Sequence, residues 1–582
     1  MSKFGNSERI VQNCERQRSQ MWTRFDRIRP KLMEIARYVY PNALPGLSKD
    51  VREIGAGDEY EEDDAERYTS VPFDAFRIAA SGFYTNLTNP ASPWFSIKTP
   101  DYGDGSEDKD YYAEEYSKLT DATRWLMGWC GAYRGLNLVY KHLVAFGFGG
   151  MLLEPDDERV VRVTCLRMGT YALGIDRKGR VDRCVRRFAF TAEQMVEEFG
   201  RENLVYGILE AARRGDVETK YVVWNLVEPH RKLKGIGTPY TLSYRKFTYR
   251  SVYWCPEASG NGQDGLLAVR GYAVKPLVAP RLMFETGDVY GRGCGADALG
   301  HCRALQTMAE SQLDLADQEA HPAMMAPASM ADEGLRLGPL EVNWYPDNLQ
   351  PNAVYRAIGQ PPTGERTARE MQRVEMELRK AFFNSEFETI SAMEDQTAGD
   401  GRMTATEVRA RVGEKMEQLA GIATTLNDEL LDPFVTTMAA YAMMSGIAQA
   451  ELPQGGALPW DIKYESAIHA AVNAQPINAA SRSLAEAAGL AEAANDPSVF
   501  DNFDADEMVR DVHRKLGAPE RYLRREKERD AMRSARAEEA ARQQQVQEQA
   551  VQAKALKDAA SAPVTPGTIG GALADAGQGG MQ

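Results

Sequence analysis

Gly287-Asp288-Val289-Tyr290-Gly291-Arg292-Gly293-Cys294-Gly295-Ala296 joins a strand-like run to an Ala-rich helix, and the chain changes character there. Upstream, β-branched and aromatic runs at Val160 to Thr164, Val181 to Phe190, Tyr221 to Val227 and Lys246 to Trp254 are punctuated by Gly and Pro, which marks strands. Residues 149–290 therefore read as β-rich, with one inserted helix over Ala192 to Arg214. Downstream, Ala296 to Ala320 has a helical period halted by Pro322, whose ring cannot continue a helix. Pro322 to Pro362 holds seven prolines and a β-like patch, Leu340 to Trp344, and Thr367 to Phe387 returns to helix. Ser391 to Arg402 is an acidic, Gly-containing loop, and Thr404-Ala405-Thr406-Glu407 supplies a capping box for the helix after it. The apolar stripe of that helix, from Val408 through Met416 to Leu430, leads to Asp432-Pro433, where a cap and an N1 proline predict a second helix.

Further out, apolar residues from Ile10 to Val39 recur at helical spacing, with a kink expected at Pro30 and a stop at Pro41. Val71 to Leu87 and Tyr111 to Phe146 are helical, separated by Asn89-Pro90. From about Pro476 the chain is Ala-rich and helical; Arg521 to Lys557 is charged and Gln-rich and needs neighbours to be a stable helix, and Ser561 to Gln582 is expected to be disordered. The fold class is α+β, mainly helical.

With 43% hydrophobic and 26% charged residues the chain has an ordinary globular composition. A net charge of -15 argues against gripping nucleic acid over the whole surface, because phosphate binding depends on Lys and Arg. The seven cysteines are scattered and never spaced CxxC, which fits free thiols in a reducing compartment such as the cytoplasm. Met1 to Gln20 lacks the apolar core of a secretory signal, and the most apolar stretch, Phe434 to Ile447, is too short to cross a membrane.

Gly291 to Ala296 satisfies GxGxx(G/A) at the start of a helix, so a nucleotide-binding enzyme is one rival reading, although no buried parallel strand is expected after that helix. The blander role of Gly291, Gly293 and Gly295 is to let the backbone turn sharply, with a positive φ expected at Gly293. Cys294, His301 and Cys302 match no structural zinc spacing and read as packing residues. With six histidines and no GxSxG, HExxH or P-loop, no catalytic, metal or cofactor site is expected. On the helix after the Pro-rich segment, Arg366, Arg369, Arg373 and Lys380 fall within roughly one 60° sector, opposite Met371, Val374, Leu378 and Phe382. Glu310, Asp314 and Asp317 form an acidic stripe on the preceding helix. Such stripes are either solvated and paired between helices or placed where repeated charge meets phosphate without sequence readout.

Several blocks, in order, resemble the head-to-tail connector (portal) protein family of short-tailed bacteriophages. They are the Trp22 helix ending at Pro41; Ala79-Ala80-Ser81-Gly82 through Leu87-Thr88-Asn89-Pro90 to Trp94-Phe95; and Asn137 followed by Ala145-Phe146-Gly147-Phe148-Gly149. Asp176-Arg177-Lys178-Gly179-Arg180-Val181-Asp182 leading to Thr191-Ala192-Glu193-Gln194, then Gly287 to Gly293, then Thr404 to Val408, complete the set. The resemblance covers Arg9 to about Pro453 and implies a ring, dodecameric in the family, at one capsid vertex of the virion, assembled in the host cytoplasm. It implies double-stranded DNA passing through without sequence specificity. The implied partners are the terminase ATPase, capsid and scaffolding proteins and tail adaptor proteins, with no membrane; lacking a P-loop, the chain is not itself the motor.

On that map 1–290 is a wing, 291–321 and 366–390 are two stem helices, 322–365 is a clip and 391–403 a tunnel loop. Residues 404–450 are a long capped helix and its successor, 451–560 a crown-like helical region and 561–582 the tail. The implied channel or inter-subunit residues are Arg366, Arg369, Arg373, Lys380, Glu394, Asp395, Asp400 and Arg402, with Gly291, Gly293 and Gly295 at the wing-to-stem turn. A non-portal scaffolding or coiled-coil assembly protein is the second rival, suggested by Arg521 to Lys557 alone.

Overall fold

The computed structural model describes residues 7–54, 67–98, 109–230, 247–260, 263–320, 324–325, 356–357, 365–387, 419–449, 460–465, 483–491, 497–515, 522, 524 and 526–560. The chain forms two compact units, Met1–Pro476 and Ile477–Gln582. Its architecture is mainly helical with antiparallel sheets.

The first unit opens with α1 (Ser7–Tyr38), the short α2 (Leu44–Ser48) and α3 (Val71–Thr88). Helix α1 runs through Pro30 without ending, because Phe25 on one side and Leu32 and Ile35 on the other are held in the core. After β1 (Phe95–Lys98), the expected long helical stretch is two helices, α4 (Lys109–Trp129) and α5 (Ala132–Phe146). The break falls at Gly131, whose φ of 71° only glycine adopts without strain.

The β-rich part holds β2 (Met151–Asp156), β3 (Val160–Cys165), β4 (Tyr171–Ile175) and β5 (Val181–Thr191). Two helices follow rather than one, α6 (Ala192–Phe199) and α7 (Tyr206–Arg214). Thr191 starts α6 with a reciprocal capping box: its hydroxyl accepts from the Gln194 N–H and the Gln194 side chain accepts from the Thr191 N–H. Gly200, at φ 77°, ends it. Then come β6 (Lys220–Pro229), β7 (Tyr249–Gly260), β8 (Gln263–Tyr272) and the short β9 (Leu277–Val278).

Strands β4-β5-β6-β7-β8 form one antiparallel sheet and β3-β2-β9 another. The period-2 alternation of strands divides the larger sheet between two cores. Val223 and Tyr253 pack under α6 and α7 with Met195, Phe199 and Ile208. Their sequence neighbours Trp224 and Trp254 face the main core under α1. Where the two sheets meet, the buried Glu154 accepts hydrogen bonds from the Tyr253 hydroxyl at 3.0 Å and the Tyr272 hydroxyl at 2.8 Å, and pairs with Arg186 at 3.3 Å. Burial pushes this carboxyl up, but Arg186, the Tyr272 hydroxyl and Arg162 outweigh it and hold Glu154 below its ordinary range.

Next come α8 (Cys294–Ala320), the paired β10 (Met324–Met325) and β11 (Arg356–Ala357), α9 (Glu365–Ala381), α10 (Ala420–Leu426), α11 (Asp432–Met444) and β12 (Asp461–Tyr464). The expected new start at Asp432-Pro433 does not occur. Asn427–Leu431 is π-helical and carries the chain from α10 into α11 unbroken. Pro433 has no N–H to donate to a preceding carbonyl, and a wide turn before it absorbs that missing bond. Asp432 does not cap; its carboxylate accepts from the Tyr464 hydroxyl. Strand β12 is a second departure: 451–560 was expected to be helical, yet Asp461–Tyr464 pairs antiparallel with Phe95–Lys98. In α11, Phe434, Val435, Met438 and Ala442 are fully buried, which makes this apolar stretch a packed helix, and no described helix is long and apolar enough to cross a membrane.

The second unit contains α12 (Ala505–Lys515) and α13 (Glu526–Ala560), a 35-residue helix whose described side chains are almost all exposed. Arg529 and Arg533 pair with Asp506 of α12. The Leu340 to Trp344 patch and the tail 561–582 lie outside the described residues.

One core residue gives a pH prediction. His142 of α5 is buried between Tyr40 and Phe146, its Nδ1 has no hydrogen-bond partner, and burial pushes its pKa down to about 4. An unfolded histidine titrates near 6.5, so between that pH and about 4 the unfolded chain binds a proton that the folded chain refuses. Stability is therefore full above pH ~6.5, falls by on the order of 3 kcal/mol as the pH drops to about 4, and loses no more from this group below that. Denaturant titrations across this range should show a flatter profile for His142→Phe, and an unchanged profile would assign the acid sensitivity elsewhere.

Candidate functional site

The glycine turn is built from two segments. Helix α5 ends at Gly147, which has φ 84° and donates its N–H to Leu143 O at 2.8 Å. The returning chain lies against it: Leu282 N–H donates to Gly147 O at 2.8 Å and Arg292 N–H to Met283 O at 2.6 Å. A Cβ on Gly291 would sit 2.3 Å from Gly147 O, one on Gly293 2.4 Å from Gly147 N and 2.8 Å from Leu143 O, and one on Gly295 2.4 Å from Ala145 O. None of the three has a positive φ. The expected conformational reason at Gly293 is thus corrected to a steric one: two backbones approach too closely for any side chain between them.

The same contacts remove the nucleotide-binding rival. In a dinucleotide fingerprint the glycines clear space for a pyrophosphate at the helix N-terminus; here the C-terminal carbonyls of α5 fill that space. Cys294 and Cys302 are buried and their thiols are pushed up to about 12 by burial, while His301 is turned to Glu377 at 3.7 Å. Among the described residues no three metal-ligating side chains come together.

Helix α8 packs against α9. Strands β10 and β11, just beyond the end of α8 and before the start of α9, pair antiparallel, and His301 early in α8 meets Glu377 late in α9. The two helices therefore form an antiparallel hairpin. Val374, Leu378 and Phe382 are buried on one face of α9, and Arg366, Arg369, Arg373 and Lys380 are all exposed on the other. Arg373 pairs within the helix, at 3.0 Å with Glu370 and 3.2 Å with Glu377. On α8, Glu310, Asp314 and Asp317 are exposed, and Glu310 accepts from the Tyr68 hydroxyl at 3.1 Å. The base of the hairpin seats on α3, where Phe387 lies against Gly82 so closely that a Cβ there would meet its ring at 2.4 Å, and Phe83 packs edge-on to Phe387. This explains the small residues Ala79 to Gly82. Glu394, Asp395, Asp400, Arg402 and the Thr404 capping box lie outside the described residues.

One site has no sequence signal. Arg281, 1% exposed, donates from Nε and an Nη to Glu429 at 3.1 and 2.6 Å, and also to Asp288 O at 2.6 Å and Gly179 O at 2.9 Å. Its guanidinium lies 3.9 Å from the Phe284 ring centroid. Glu429 belongs to the π-helical turn, so this buried pair ties the helix leading into α11 to the β4–β5 hairpin and to the segment before the glycine turn. Nothing in residue spacing marks Arg281 as buried or Glu429 as its partner.

Comparison with known proteins agrees with this arrangement. The portal protein of Salmonella phage epsilon15 is 27% identical over 495 residues, covering 84% of each chain. A probable portal protein of Bordetella phage BPP-1 is 26% identical over 438 residues, 74% of this chain and 75% of that one. Among solved structures, a chain from the virion of a native gene transfer agent particle is similar at 13% identity and TM-score 0.36, over 77% of this chain and 90% of that one. The family model described as bacteriophage head to tail connecting protein matches residues 11–523, nearly the whole chain, and the protein belongs to that family.

Proposed function

We propose that this chain is a portal subunit, assembling into a ring, dodecameric as in its family, at one capsid vertex, through which double-stranded DNA is packaged and ejected. The observation that carries this is the α8–α9 hairpin. One face is buried against the body, its far ends are tied by β10 and β11, and its outer face carries separate acidic and basic stripes. Two long helices with polar, charge-striped outer faces are suited to side-by-side packing with copies of themselves. In this reading α8 and α9 are stem, 322–365 clip, 391–403 tunnel loop, the β-rich part with the N-terminal helices wing, and the second unit crown.

The ring is a passive conduit and docking surface for a terminase ATPase, capsid and scaffolding proteins and tail adaptors, located in the virion after assembly in the host cytoplasm. A net charge of -15 suits a channel through which DNA slides without sticking. Negative-stain images of the purified chain should show rings with a central hole; a well-folded monomer at micromolar concentration would rule the reading out. Shortening Asp395 to Gly401 should leave rings intact and lower the yield of heads that retain a full genome, and normal retention would leave the loop a plain connector.

A further inference from the structure

Two surface features of the first unit lie on different elements and complement each other. The first is a cleft of about 360 Å³ between α1 and the five-stranded sheet, lined by Arg18, Trp22, Asp26, Arg187 and Trp224 among others. Arg18 stacks over Trp224 at 4.6 Å and Arg187 over Trp22 at 4.9 Å, and the two indoles meet edge to face at 5.1 Å. The Nε atoms of both arginines are buried with no hydrogen-bond partner. Arg24 and Arg27 extend the cationic surface along α1. Guanidinium groups fixed flat on indole rings are preorganised to grip a carboxylate, and the apolar floor suits an aromatic ring.

The second feature is a ridge on α4. Trp125 and Trp129 are 54% and 56% exposed and stack on each other at 5.6 Å and 10°. Asp121, one turn earlier on the same face, has a side chain 74% exposed. Such a large exposed apolar pair is unusual on a free surface and is the residue type that dominates protein interfaces. Helix α4 packs on β1, α5 and α11, whereas α1 packs on the sheet and α8, so the cleft and the ridge sit on separate faces.

We propose that the Asp121–Trp125–Trp129 ridge of one copy inserts into the Arg18–Trp22–Arg187–Trp224 cleft of the next. A ring of identical subunits needs a heterologous interface made of two different, mutually complementary patches, and these two match in charge, aromatic character and scale. The inference rests on the ring reading above.

Its test pairs a variant with a probe of the native protein. Trp125→Ala/Trp129→Ala changes only exposed side chains; it should melt with the wild type in its monomeric form and need at least tenfold more protein to form rings. In wild-type rings, modification of Arg18 and Arg187 by phenylglyoxal, mapped by mass spectrometry, should be at least tenfold slower than in wild-type monomer. Rings from the double variant at the wild-type concentration, or intact wild-type rings with both arginines as reactive as in the monomer, would overturn the proposal. If the double variant unfolds, the arginine protection of the wild type decides alone. Failure of the wild type to form rings at all is a different outcome, one that overturns the ring reading together with the interface built on it.

Discussion

Gly293→Val is expected to yield a chain that does not reach the native fold and forms no assemblies, with a loss on the order of 4 kcal/mol or more. The added Cβ would stand 2.4 Å from Gly147 N and 2.8 Å from Leu143 O and Val144 O. All three are backbone atoms at the end of a buried helix, so no side chain can rotate away to relieve the clash. The turn also lies between two ladders, Phe148 with Arg281 and Met283 with Arg292, so shifting one strand opens both. Gly293→Ala should fail nearly as badly, which separates close approach from a φ requirement or β-branching. Thermal melting and sedimentation measure both variants; an alanine variant with near-wild-type melting would show that the turn can open at little cost.

Glu429→Leu should destabilise the protein by about 3–5 kcal/mol, because it leaves the buried Arg281 cation without its carboxylate. The two carbonyls at Gly179 and Asp288 and the Phe284 ring would remain, but they cannot neutralise the charge. Arg281→Met combined with Glu429→Leu should recover part of the loss by removing both charges, and not all of it, since the two carbonyls then lose their donor. Chemical denaturation of the two single variants and the double variant gives the coupling. Additive losses would mean that the pair acts independently, against the geometry of two hydrogen bonds at 2.6 and 3.1 Å.

The amino-acid sequence by itself determined the element order wherever one periodicity persists. The helices at 71–88 and 294–320, the strands at 160–165, 181–191 and 220–229, and the buried and cationic faces of α9 all lie where apolar spacing and Gly or Pro punctuation put them. These are local effects, written in residues at most a few turns apart. The GxGxxA fingerprint shows the limit of that kind of reading. It states that backbone must come close at Gly291, Gly293 and Gly295, but not whether a pyrophosphate or another stretch of chain arrives, and only the position of α5 decided for the chain.

The same limit applies to the pairing of Asp461–Tyr464 with Phe95–Lys98, to the π-helical passage into α11, and to the Arg281–Glu429 ion pair. Each joins residues more than a hundred positions apart or follows from such a join. An arginine whose neighbours in sequence are unremarkable becomes buried only when three distant segments supply a carboxylate and two carbonyls to satisfy it. A strand of four residues forms only when its partner's edge is already in place. Local propensity has no means to encode those events, because the energy that fixes them is the cost of leaving buried polar groups unpaired, and that cost exists only after the segments have come together.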